Sequence, residues 1–96
     1  MSPALQAAYA IAQGELEKFD HDSLWKYEKP TMEALKPFLP EDRVERRAFM
    51  VELQKEARGL DVNRTKWTGF TVVANLLDSF IAYLTPGFVE ARKWME

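Results

Sequence analysis

The sequence predicts an all-α fold, a compact small helical bundle in one domain spanning residues 1–96. Three observations predict it. Residues 67–84, WTGFTVVANLLDSFIAYL, hold twelve apolar residues out of eighteen, in a pattern that strict alternation does not fit. Leu5, Tyr9, Ala12, Leu16 and Phe19 follow one another at spacings of four, three, four and three, which is one helical seam. Helix start and stop residues bracket the apolar stretches: Ser2-Pro3, Pro40-Glu41-Asp42, Gly59 and Thr85-Pro86-Gly87. Three main helices are expected at about 3–19, 41–58 and 62–84, with shorter ones at about 23–39 and 86–95.

Helix 3–19 opens with Ser2 at the N-cap and Pro3 at the first helical position. Ala7, Ala8 and Ala10 add helix propensity, and Gly14 weakens the middle. Asp20-His21-Asp22-Ser23 reads as a turn with capping side chains. A short helix is expected over 23–27, ended by Pro30. Another is expected over 31–39, with Met32, Leu35 and Phe38 inward and Pro37 straining its second turn.

Pro40 is expected to open the next helix, with Glu41 and Asp42 at its positive end and Gly59 capping its end. Its apolar residues form two faces. Phe49, Leu53, Ala57 and Leu60 share one side, and Val44, Ala48 and Val51 share the other. The second face is either internal or a contact with a partner. Asp61 or Thr65 is expected to cap the central helix. On that helix Trp67, Phe70, Val73, Ala74, Leu76, Leu77, Phe80, Ile81 and Leu84 cover about half the circumference, at about 100° per residue. An arc this wide needs two covering surfaces, the seam of helix 3–19 and one face of helix 41–58. If Asn75 and Asp78 were buried, the polar side would face something else. The segment is too short for a membrane span, and Asp78 interrupts it.

Composition narrows the function. Thirteen basic and fifteen acidic residues give a net charge of −2, with no global pull toward nucleic acid or anionic membrane. The chain has no cysteine, which excludes disulfides and thiolate-ligated metal sites. The first residues, MSPALQAAYA, lack a basic region followed by an apolar core, so a cytoplasmic location is expected.

Asp20-His21-Asp22 is the one constellation that resembles metal or acid–base chemistry, but its members are neighbours in a turn and lack ligand spacing. The acid pairs Glu15/Glu17 and Glu52/Glu56 read as solvated helix faces. There is no phosphate-binding glycine loop and no nucleophile–base motif, so no catalytic, cofactor or metal residue is expected. Arg43, Arg46, Arg47 and Arg64 form a basic cluster suited to nucleic acid, yet Glu41, Asp42, Glu45, Glu52 and Glu56 are interleaved with it. A helix-turn-helix about Gly59 fails, because it would pack polar Gln54, Arg58, Thr65 and Thr68 together.

The expected function is a non-enzymatic protein-interaction module: an adaptor, assembly chaperone, accessory subunit, or an inhibitor of a host protein such as phages and mobile elements encode. It would bind a larger protein, or itself as a homo-oligomer, through an apolar-aromatic patch with an Arg/Glu rim. Large rings mixed with charges are typical interface anchors. They place the expected contact at Trp25, Tyr27, Val44, Arg47, Val51, Phe88 and Trp94. The alternative is a helical nucleic-acid binder using the arginine cluster, and after it a small enzyme or metal protein centred on His21.

Overall fold

A computed structural model describes residues 1–15, 26–61 and 68–85, the side chains of residues 14 and 15 excepted. The described chain is all-α, with helices α1 (Pro3–Glu15), α2 (Glu28–Leu35), α3 (Arg43–Leu60) and α4 (Gly69–Leu84). Residues 16–19, the turn with His21, Trp67 and the expected helix at 86–95 lie outside the described residues.

α4 is the scaffold. It buries Gly69, Val72, Val73, Ala74, Leu76, Leu77 and Phe80. α3 packs along one side of it and α1 along another, and α2 packs against α1. The two covering surfaces expected for the central helix are therefore those found. α3 and α4 run antiparallel: Arg43, at the start of α3, bonds the carbonyls of Tyr83 and Leu84, and Arg58, near its end, bonds Asp78. Asp78 is exposed and Asn75 half-buried, so neither is enclosed.

α1 begins as its sequence directs. The Leu5 N–H donates to Ser2 Oγ at 3.3 Å, and Pro3 is the first helical residue. The buried face is Ala4, Leu5, Ala8 and Ala12, while Tyr9 is half-buried. Ala8 thus belongs to the core rather than merely adding propensity. The Ser2 N–H donates to Glu56 Oε1 at 2.6 Å, which ties the start of α1 to α3.

The region 26–40 departs from expectation. Pro30 does not end a helix; it lies in the first turn of α2. The first four N–H groups of a helix have no partner within it, so a proline there loses nothing. Pro37 acts as expected. α2 stops at Leu35, and the chain tightens into a 3-10 turn over Lys36–Phe38. That turn directs Phe38 outward, at 39% exposure, where an inward ring was expected.

α3 starts at Arg43, because Asp42 is its N-cap and accepts from the Glu45 N–H at 2.9 Å. Pro40 sits before the cap, and its carbonyl is held by Arg46 Nε at 2.9 Å. Gly59 is not the cap. It stays helical, and α3 ends at Asp61, whose N–H donates to the carbonyls of Ala57 and Arg58. The buried stripe of α3 is Met50, Leu53 and Ala57. Leu60, placed with Leu53 and Ala57 on sequence, is 39% exposed. Nothing lies within 4 Å of a Cβ built on Gly59. Gly59→Ala is therefore expected to raise stability by about 0.5–1 kcal/mol, read as a higher midpoint in urea unfolding.

The cap of α4 is Thr68, where Asp61 or Thr65 was expected. Its hydroxyl accepts from the Thr71 N–H, and the Thr71 hydroxyl accepts from the Thr68 N–H, each at 3.3 Å. Asp61 acts one step further out. Its two carboxylate oxygens accept from the hydroxyls of Thr68 and Thr71, both at 2.8 Å. One residue thus closes α3 through its backbone and braces the start of α4 through its side chain.

Thr31 is fully buried in α2, and its hydroxyl has no hydrogen-bond partner among the described residues. An unpaired buried hydroxyl forfeits its hydration. Thr31→Val keeps the shape and removes that group, so it is expected to stabilise the fold by about 1 kcal/mol. Thermal unfolding followed by circular dichroism reads the gain; a loss of stability would mean the hydroxyl is satisfied in solution.

Candidate protein-interaction cleft

The sequence directs attention to the arginines first. Arg43 stands at the N-terminal end of α3, beside the C-terminal end of the antiparallel α4. Its Nη2 donates to the Tyr83 carbonyl at 2.8 Å and its Nε to the Leu84 carbonyl at 3.4 Å. Arg47, one turn on, donates from Nε to Thr85 Oγ1 at 3.1 Å. That hydroxyl in turn donates to the Ile81 carbonyl at 2.8 Å. The last carbonyls of a helix lack partners within it and carry the negative end of its dipole, so cations there are favourable. Arg46 turns the other way and holds the carbonyls of Pro40 and Glu41. All three guanidiniums fasten main chain or a cap, and Arg64 lies outside the described residues.

Several carboxylates are similarly occupied. Glu52 pairs with Lys55 at 3.2 Å on the surface, and Glu56 holds Ser2. Asp78 accepts from Gln54 and from Arg58, in a part of the surface where its side chain is 58% exposed. Among the described residues, no three His, Cys, Asp or Glu side chains gather closely enough to hold a metal ion. Nor is any described helix long and apolar enough to cross a membrane.

Of the contact residues expected from sequence, Trp25, Phe88 and Trp94 lie outside the described residues. Tyr27 sits at the N-cap of α2, half-buried against the core. Val44, Arg47 and Val51 share one side of α3 by helical spacing. Val44 is 77% exposed, Ala48 is exposed and Val51 is half-buried, so this second face of α3 looks outward. The structure brings Val44, Arg47 and Val51 to one surface, with Tyr27 on a different element.

Another feature is a cleft of about 750 Å³ between α2 with its 3-10 turn and the meeting of α3 with α4. Its apolar lining is Met32, Leu39, Met50, Phe80 and Leu84. Met50 is fully buried and Phe80 is 6% exposed, so they form the floor; Met32, Leu39 and Leu84 are half-buried. Tyr83 is 52% exposed on the rim. Lys29, Glu33, Lys36, Glu41 and Arg46 complete the rim with both signs of charge. Three local choices open this space. Pro37 breaks the helix, the 3-10 turn swings Phe38 outward, and Arg46 clamps the 40–41 backbone against α3. Sequence reading missed the cleft, because its residues come from four separate elements. Its one local signal was the pair of prolines at 37 and 40, which marks a break in regular structure.

No family model matches this chain, and neither a curated protein nor a solved structure matches it.

Proposed function

We propose that the chain is a non-enzymatic protein-interaction module that binds a larger protein, or a second copy of itself, through the cleft between α2 and the α3–α4 pair. The observation that carries this reading is the cleft itself, with half-buried apolar walls over a buried apolar floor inside a charged rim. Protein interfaces share that plan, with an apolar centre and a polar edge. Met32, half-buried in the wall, suits a surface that adapts to a partner's side chains, since Met is flexible and polarisable. Tyr83 on the rim supplies a ring of the kind that anchors contacts. Adaptor, assembly chaperone, accessory subunit and host-protein inhibitor of a phage or mobile element are all roles for such a module. The nucleic-acid reading has weaker support, because Arg43, Arg46 and Arg47 direct donors at the protein's own oxygens.

The test compares three chains by affinity capture from native lysate with mass spectrometry, beside light scattering for self-association. They are the wild type, a Tyr83→Ala/Lys36→Glu variant at the cleft rim, and Val44→Arg on the outward face of α3. Both changes fall on exposed residues, so circular dichroism should be unchanged. Losing a rim aromatic and reversing a rim charge is expected to weaken capture at least about tenfold, equivalent to about 1.4 kcal/mol. Val44→Arg is expected to retain it. Loss in Val44→Arg alone would move the contact to α3, and a wild-type monomer that captures nothing would overturn the proposal.

A further inference from the structure

We draw no further inference here: the strongest candidate, the outward face of α3 formed by Val44, Ala48 and Val51, carries nothing because the structure does not show what covers it.

Discussion

Leu77→Ala is expected to cost about 3 kcal/mol of stability, within the range for emptying a well-packed core site. Leu77 is fully buried in α4, the helix against which both α1 and α3 pack. Its neighbours Val73, Ala74, Leu76 and Phe80 are buried as well and already packed, so they have little freedom to move into the space. A cavity therefore persists, and its cost adds to the lost transfer free energy. A domain of this size has roughly 5–15 kcal/mol in total, so the loss removes a large fraction of it. Urea unfolding reads the change as a lower midpoint at unchanged slope. Leu60→Ala is the control. Leu60 is 39% exposed at the end of α3, and its truncation is expected to cost less than about 1 kcal/mol. Equal losses at 60 and 77 would mean that α4 is not the centre of the fold.

The centrality of α4 was legible in the sequence for the same reason that Leu77 matters. A wide apolar arc at helical spacing can be satisfied only by burial on more than one side. The first turn of α1 was legible too, because the Ser2 cap and Pro3 act locally. The stripe of α3 was legible in part: Leu53 and Ala57 are buried and Phe49 packs against the core. The expected line ran on to Leu60, which is exposed, and left out Met50, which is fully buried. Adjacent apolar residues on a helix lie about 100° apart, so periodicity alone cannot decide which of two neighbours faces the core. Asp61 illustrates a second limit. Its carboxylate reaches a hydroxyl ten residues later, so its role depends on a meeting of helix ends that spacing does not encode. The cleft is the extreme case. Lys29 and Leu84 stand at opposite ends of its lining sequence, and no local pattern joins them. The contact residues expected from composition clustered where rings and charges alternate in sequence. The cleft arises where Pro37 ends α2 and Arg46 fixes the 40–41 backbone to α3.

Gly69→Ala is expected to destabilise the protein by about 1–3 kcal/mol, the usual cost of overpacking a filled interior. Alanine is otherwise the better residue in a helix, by about 1 kcal/mol over glycine, so the expected sign runs against propensity. The close approach of α1 reverses it. A Cβ on Gly69 would lie 2.7 Å from Tyr9 Cε2 and 2.9 Å from Tyr9 Cδ2. Gln13 Oε1, at 3.1 Å, ends a flexible side chain and can withdraw. The Tyr9 ring has less freedom. It packs on Phe70, with centroids 4.4 Å apart and planes tilted by 30°, so moving it disturbs a second contact. Either α1 separates from α4 or the ring pair breaks. A double-mutant cycle separates this clash from any general effect of alanine at the start of α4. Tyr9→Ala alone loses the ring contact and is destabilising. In its background the Gly69→Ala penalty is expected to vanish, giving a coupling of about 1–2 kcal/mol between the two sites. Additive losses would show that α1 does not approach α4 at Gly69 as closely as this packing requires.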